Sequence, residues 1–174
     1  ELGELKGLTL DREAGHVDLE AEVINREANW LELLATTPGK REHEAILTVE
    51  AKPSHIHLAL LLLGLEPGQP LKQERQGTEW RITPPCGPAV GIWVIYRHDG
   101  QRHVIPANQW VLNRKQKQAM KGNRWLFAGS QFAAYDGKRF YMADRNGTAI
   151  SLVSFGDDLL ARDTTTTNAN DNRQ

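Results

Sequence analysis

The chain has 174 residues, of which 40% are hydrophobic and 25% charged. This length and composition indicate a globular protein with a core of its own, not a disordered one. Its 21 basic and 22 acidic residues give a formal net charge of -1, so no global charge attracts nucleic acid or an anionic membrane. The only cysteine, Cys86, excludes an internal disulfide and a cysteine-ligated iron–sulfur cluster within one chain.

Alternating apolar and polar residues predict many strands. Residues 16–24 alternate strictly, which is typical of a strand with one face in water. Residues 30–36 and 44–50 are two more strands that can form a hairpin across Pro38-Gly39. Three further hairpin turns are predicted by dipeptides that favour positive φ, namely Asp99-Gly100, Asp136-Gly137 and Asn146-Gly147. They lie between β-rich segments at 89–97, 102–105, 125–127, 132–135, 139–143 and 148–155, which we interpret as an antiparallel meander.

One helix is predicted, with Ser54 as its N-cap and Gly64 at its C-terminal end. Its interior is apolar almost all round, so we expect it to be covered on most faces. Residues 157–161 are interpreted as a final helical turn. The longest apolar run, residues 56–65, is about half of the roughly 20 residues that span a bilayer, so no transmembrane segment is predicted. The expected fold is a single α+β domain over residues 1–162, mainly antiparallel sheet with one buried helix at about 54–64, followed by a polar loop or tail at 163–174.

A site for a divalent metal or for proton transfer is predicted around His43, Glu44 and His57, because imidazole and carboxylate groups perform both tasks. Lys40 and His55 lie close to them in sequence. No zincin motif is present, and on a helix His55 and His57 diverge by roughly 200°. If His57 lies in the first helical turn, the helix dipole lowers its pKa. The alternative, which we favour, is that His43 and His57 are half-buried histidines whose ring nitrogens hydrogen-bond to the backbone or to Glu44 and fix the helix against the first sheet.

No other pattern identifies catalysis. Ser130, His103 and Asp144 supply the residue types of a nucleophilic triad, but no serine lies in a Gly-x-Ser-x-Gly elbow. No nucleotide-binding motif is present, and Cys86 lies in a proline-rich turn without a basic neighbour, which favours a structural role. The basic run at 114–121 lacks interleaved aromatic residues and is interpreted as a solvated loop, so no nucleic-acid partner is predicted.

The chain contains five tryptophans. Trp93 lies in the apolar run 91–96 and is predicted to be internal. Trp80 and Trp110 have polar neighbours and are candidate platforms for stacking on sugar rings. Core packing is the competing interpretation of both.

An ordered set of segments resembles a known family. The segments are Gly39-Lys40-Arg41-Glu42-His43-Glu44-Ala45, residues 56–64 with Pro67-Gly68, Trp125-Leu126-Phe127-Ala128-Gly129-Ser130, and Tyr141-Met142-Ala143-Asp144 with Gly147. Together they resemble the YdjY-like domain family of bacteria, common in exported proteins of planctomycetes. The family signature falls on Lys40, His43, Glu44, His57, Trp110, Trp125, Gly129, Ser130 and Asp144.

The resemblance implies an extracytoplasmic location and a shared importance of Lys40, His43, Glu44 and His57. It also implies a further β segment after residue 174, and it assigns no chemical role. Some members carry cysteine-rich, ferredoxin-like segments, for which this sequence has no counterpart.

The leading functional hypothesis is a noncatalytic binding or interaction module of an exported bacterial protein, with another protein or a cell-envelope component as its partner. It depends on a complete core pattern without a catalytic motif. The alternatives are a metal-dependent site at His43, Glu44 and His57, enzymatic or not, and glycan binding through exposed tryptophan.

Overall fold

The computed structural model describes residues 5–26, 30–113 and 118–164. Their helices are α1, Pro53–Leu62, and α2, Met142–Asn146, with single 3-10 turns at Glu42–Glu44 and Ala107–Trp110. The strands are β1 (Leu8–Asp11), β2 (His16–Leu19), β3 (Ala21–Val23), β4 (Leu33–Thr36), β5 (Ala45–Val49), β6 (Lys72–Gln76), β7 (Glu79–Thr83), β8 (Ala89–Val90), β9 (Trp93–His98), β10 (Gln101–Pro106), β11 (Leu112–Asn113), β12 (Gln118–Ala119), β13 (Trp125–Phe127), β14 (Phe132–Tyr135), β15 (Lys138–Tyr141), β16 (Ile150–Ser151) and β17 (Leu160–Ala161).

A seven-stranded mixed sheet in the order β3-β5-β4-β16-β17-β13-β8 forms the centre of the fold. Most neighbours are antiparallel, but β4 runs parallel to β5 with Ala35 beside Leu47, and β16 runs parallel to β17. The predicted hairpin between residues 30–36 and 44–50 is therefore wrong. The chain crosses back through residues 37–44 before it re-enters the sheet beside β4, so the turn at Pro38-Gly39 does not reverse the strand direction.

Five two-stranded antiparallel ribbons join this sheet: β1–β2, β6–β7, β9–β10, β11–β12 and β14–β15. The predicted turns at Asp99-Gly100 and Asp136-Gly137 are confirmed, because all four residues have φ between 49° and 76° and the strands pair directly on either side. The predicted turn at Asn146-Gly147 is wrong. Gly147, with φ 78°, instead ends α2 in the left-handed conformation that helix ends favour.

The N-cap of α1 lies two residues earlier than the sequence predicted. Lys52 is its N-cap and Pro53 its first residue, a position where proline is favoured because no helical hydrogen bond is lost there. Ser54 is thus inside the helix and not its cap. The helix buries Pro53, Ile56, Ala59 and Leu60, whereas Leu61 is 41% exposed. The other five residues of α1 are half-buried, so most faces of the helix are at least partly covered, as expected.

The core lies where the sheet meets α1 and α2. Its largest fully buried side chains include Trp125, Phe127, Leu33 and Leu34. The predicted strand at 148–155 is reduced to β16, and the helical turn expected at 157–161 is wrong, because β17 forms at the end of that segment. The fold class is confirmed as α+β, β-rich and mainly antiparallel. Within the described ranges, neither helix has the length and apolarity needed to cross a membrane.

Candidate functional site

Helix α2 connects several of the predicted site residues. The Asp144 carboxylate accepts the backbone N–H of Ser54 at 2.7 Å and its hydroxyl at 2.6 Å. One residue earlier, the N–H of Ala143 donates to Ser130 Oγ at 3.0 Å. Asp144 thus satisfies a free N–H group at the start of α1, and α2 links that helix to the end of β13.

The Ser130 hydroxyl is used to hold the backbone. Its proton goes to the carbonyl oxygen of Asp157 at 2.6 Å, and the residue has φ 57°, an uncommon conformation for serine. His103 lies elsewhere, stacked on Tyr96 with ring centroids 4.9 Å apart. Since Asp144 is bonded to Ser54, the contacts do not arrange Ser130, His103 and Asp144 as a nucleophilic triad.

His57 forms a hydrogen-bonded chain with Tyr141 and Gly129. The Tyr141 hydroxyl lies 2.8 Å from His57 Nδ1 and donates its proton to the Gly129 carbonyl oxygen at 2.9 Å. Because a hydroxyl carries only one proton, Nδ1 must be the donor toward Tyr141, and the neutral ring keeps its lone pair on Nε2. Burial lowers the pKa of His57, although the Gly129 carbonyl opposes that shift. The neutral imidazole can therefore accept a hydrogen bond or a proton at Nε2.

The surroundings fix the His57 ring. Phe127 and Tyr141 both meet it edge-on, with centroids 4.9 and 5.6 Å away. At Gly129, φ is 83°, and a Cβ atom would lie 2.5 Å from Pro67 and 3.4 Å from the imidazole. Burial, followed by the charge of Asp144, raises the pKa of Tyr141, so its phenol stays protonated. The structure thus confirms a half-buried histidine with a hydrogen-bond partner.

The predicted metal ligand Glu44 is held by an arginine. Arg41 bonds to Glu44 through Nε and to Glu32 through Nη2 at 2.8 Å, and its guanidinium lies 3.7 Å from the centre of the Phe155 ring. Burial raises the pKa of Glu44, but the hydrogen bond and charge of Arg41 prevail and lower it overall. His43 is exposed over 82% of its side chain, with Nε2 3.9 Å from the Glu44 carboxylate, so the prediction that His43 is half-buried is wrong.

The contacts therefore place His43 with Glu44, and His57 with Tyr141, in separate clusters. Among residues 5–26, 30–113 and 118–164, no three His, Cys, Asp or Glu side chains are grouped as metal ligands. Metal binding by His43, Glu44 and His57 stays a prediction without geometric support. His55 lies half-buried on α1, and the ring neighbours of His57 are Phe127 and Tyr141.

Two buried carboxyl groups, Asp157 and Asp158, were missed by the sequence analysis. Asp157 is 6% exposed and accepts a hydrogen bond from Asn146 on α2, and Asp158 is fully buried. The backbone N–H groups of Phe155 and Gly156 donate to Asp158. Burial raises the pKa of both carboxyls, that of Asp158 to about 6. Adjacent aspartates after a glycine resemble an exposed turn, so their burial could not be predicted from the sequence.

The tryptophans differ from expectation at one position. Trp125 is fully buried, and Trp110 is half-buried with its ring edge-on to Tyr96 at 5.6 Å. Trp80 is 64% exposed on β7, as its polar neighbours suggested. Trp93, predicted to be internal, is 56% exposed because β9 alternates between two faces and Trp93 lies on the outer one. The rings of Trp80 and Trp93 are available to a partner.

Cys86, Lys40 and the basic run lie outside the two clusters described above. Cys86 has a free, exposed thiol, and its backbone forms an isolated antiparallel β-bridge with Gln69. Lys40 packs against Gly147: a Cβ atom added to Gly147 would lie 2.7 Å from the Cβ atom of Lys40. Within the basic run, positions 114–117 lie outside the described residues, and so do positions 165–174 of the predicted tail.

The comparisons identify the family. A family model for the YdjY domain matches residues 8–174, and the chain belongs to this family. No curated protein and no solved structure matches it. The family membership predicted from the signature residues is therefore confirmed. The structure joins four of those residues, His57, Gly129, Ser130 and Asp144, through Tyr141 and α2.

Proposed function

We propose that this chain is a noncatalytic binding module of an exported bacterial protein. One observation carries the proposal: large apolar side chains on the ribbons face solvent. Trp80, Trp93 and Phe132 are 64%, 56% and 57% exposed, and each is on a ribbon outside the central sheet. On one of these ribbons the exposed side chains adjoin, because Ile95 pairs directly with Val104 beside Trp93, and an adjoining apolar patch of this kind is typical of surfaces that a partner covers.

The polar interior supports the same proposal, because its reactive groups are occupied in holding the fold. The Ser130 hydroxyl proton is given to a backbone carbonyl, Asp144 is bonded to the start of α1, and Glu44 is paired with Arg41. A nucleophile or general base must be free to reach a substrate. His57 differs from these groups, because its Nε2 keeps a lone pair that can accept a proton.

Binding of a partner to the exposed ribbons is tested by site-specific photocrosslinking in the bacterium that encodes the chain. We expect a photoreactive amino acid at Val104, which is 46% exposed on β10, to give a discrete covalent adduct. The same group at Glu13, in the exposed turn between β1 and β2, is the matched control. Equal labelling at both positions, or none at Val104, would contradict a ribbon-based binding role.

Noncatalytic function is tested with a panel of esters, phosphates, peptides and glycans. We expect no turnover by the purified chain. Hydrolysis that disappears in His57→Gln, while the variant keeps its thermal midpoint, would overturn the proposal and identify His57 as a general base.

An extracytoplasmic location and an envelope or protein partner are part of the proposal. Their support is the family resemblance. Fractionation of the native bacterium with an antibody against the chain tests them, with recovery outside the cytoplasm expected. Recovery with the cytoplasmic fraction would contradict both.

Glycan binding is a second candidate, favoured by the 64% exposure of Trp80 beside Ile82 on β7. Tryptophan rings that present one face to solvent stack on sugars. Titration with cell-wall polysaccharides should then change the tryptophan fluorescence of the native chain and leave that of Trp80→Ala unchanged. An unchanged native spectrum across the panel would exclude this candidate.

A further inference from the structure

The β9–β10 ribbon has one face turned to solvent. Direct cross-strand pairs on that face are Trp93 with Pro106, Ile95 with Val104, and Arg97 with Arg102, and we call these six residues the outer face. Trp93, Ile95 and Val104 are 56%, 50% and 46% exposed. On the opposite face the ribbon packs inward, with Tyr96 stacked on His103 and edge-on to Trp110. The ribbon is therefore anchored by one face and leaves the other apolar and uncovered.

The Trp93 ring is held in place by a glycine. A Cβ atom at Gly91 would lie 2.4 Å from the Trp93 ring, so the indole lies directly on the Gly91 backbone. The φ angle of Gly91 is not positive, so the backbone conformation does not require glycine. Glycine is required because a Cβ atom would occupy the space of the Trp93 ring. A large aromatic group that is fixed before binding loses little conformational entropy when a partner arrives.

The two arginines of the outer face lack acidic partners in the described part of the chain. Arg97 and Arg102 are directly opposite each other across the strands, and like charges in that position destabilise a sheet. Two other arginines have acidic partners: Arg41 pairs with Glu44, and Arg124 with Asp163. An anionic group bound between Arg97 and Arg102 would remove the repulsion.

We propose that the outer face binds an extended protein segment that combines apolar side chains with carboxylates. The proposal rests on the binding function proposed above and names its partner class. Trp93 and Arg97 are four residues apart, so about 13 Å of strand separates them, which is the reach of four extended residues. The partner places its apolar side chains on Trp93, Ile95 and Val104, and its carboxylates on the arginine pair.

The composition of the outer face favours protein over the other classes. Tryptophan and arginine with aliphatic neighbours are typical of protein interface centres, whereas Ile95 and Val104 offer no ring on which a sugar could stack. Two cations on a chain of formal net charge -1 give little attraction to a membrane. A second copy of the chain is disfavoured, because a symmetric contact would bring its own arginines against the same face.

A random peptide library displayed on phage tests the proposal with the full chain as bait. We expect the enriched peptides to contain acidic and apolar residues together. Synthetic versions should bind Trp93→Ala at least tenfold more weakly than the native chain, and Trp80→Ala as well as the native chain. Gly91→Ala, which keeps all six side chains but displaces the indole, should also weaken binding.

Charge reversal supplies the sharpest comparison. The double variant Arg97→Glu with Arg102→Glu should enrich basic peptides instead of acidic ones, whereas Arg81→Glu on the β6–β7 ribbon should keep the acidic preference. A thermal midpoint within a few degrees of the native value shows that each variant folds. No enrichment, enrichment without acidic residues, or equal binding to Trp93→Ala would overturn the proposal.

Two further probes separate the alternatives. Polygalacturonate or phosphatidylglycerol vesicles that bind the native chain and not Trp93→Ala would overturn the protein assignment in favour of a sugar or a membrane. In that case the Val104 crosslink would still form, and the broader binding function would stand. Failure of the crosslink would remove the binding function itself.

Discussion

The surroundings of α2 and the β9–β10 ribbon use their polar and charged groups in opposite ways. Around α2, charged and polar groups are paired: Asp144 holds Ser54, and Asn146 holds Asp157. On the ribbon, Arg97 and Arg102 face each other without an acidic neighbour in the described chain, and Trp93 remains half uncovered. Paired groups stabilise the fold, whereas groups without a partner in the chain can form their contacts with a bound partner. The comparison distinguishes residues that build this molecule from residues that are free to bind.

Replacing the buried tryptophan should have the largest effect. Trp125→Ala removes a side chain with no exposed surface and should lower the free energy of unfolding by about 3–5 kcal/mol. Trp80→Ala, at 64% exposure, is the matched control and should change it by less than about 0.5 kcal/mol. Urea unfolding of the two variants measures the difference. Similar losses would mean that the β6–β7 ribbon is packed against the body of the protein.

Two glycines with nearly equal backbone angles extend the comparison. Gly147 has φ 78° and would place a Cβ atom 2.6 Å from Thr36 Oγ1, whereas Gly137 has φ 72° and open space around it. Gly147→Ala should cost about 2–4 kcal/mol, from backbone strain plus overpacking. Gly137→Ala should cost about 1–2 kcal/mol, from strain alone. Equal losses in urea unfolding would show that the contacts of Gly147 relax freely.

Burial of Asp158 should appear as a pH dependence. Its pKa rises from 3.8 to about 6 on folding, so the folded state keeps a proton that the unfolded state has lost. Stability attributable to this group therefore falls as the pH rises from about 4 to about 6, and stays level above that. Asp158→Asn should remove a fall of roughly 3 kcal/mol. Unfolding curves at several pH values measure it, and parallel profiles for the variant and the native chain would contradict the assignment.

Local chemistry decided which parts of this fold could be predicted. Asp99-Gly100 and Asp136-Gly137 form hairpins because the two turn residues take positive φ by themselves. Asn146-Gly147 has the same preference, and the preceding helix uses it as a cap instead. Sheet order is not local: β4 and β5 are parallel because of where the crossover places them. Hydrophobic alternation describes both arrangements equally well.

The candidate site shows the same limit. The burial of His57 on α1 could be expected from its apolar neighbours, but its partner Tyr141 is 84 residues away, and no spacing rule points to it. Glu44 was a reasonable metal ligand by residue type, yet Arg41, three residues earlier, holds it. Trp93 was misplaced because an apolar run on a two-sided ribbon does not say which face is covered.

His43 should give the smallest effect. Its side chain is 82% exposed and 3.9 Å from the Glu44 carboxylate, a surface pair that contributes at most about 1 kcal/mol. His43→Ala should therefore change the free energy of unfolding by less than about 0.5 kcal/mol. Titration of the untagged native chain with Zn²⁺ provides the second measurement, and we expect no rise in thermal midpoint, because Arg41 already occupies the Glu44 carboxylate. A stoichiometric rise that His43→Ala and His57→Ala both abolish would show that the two histidine clusters come together on the metal. It would then assign His43 to the binding residues and not to the solvated surface.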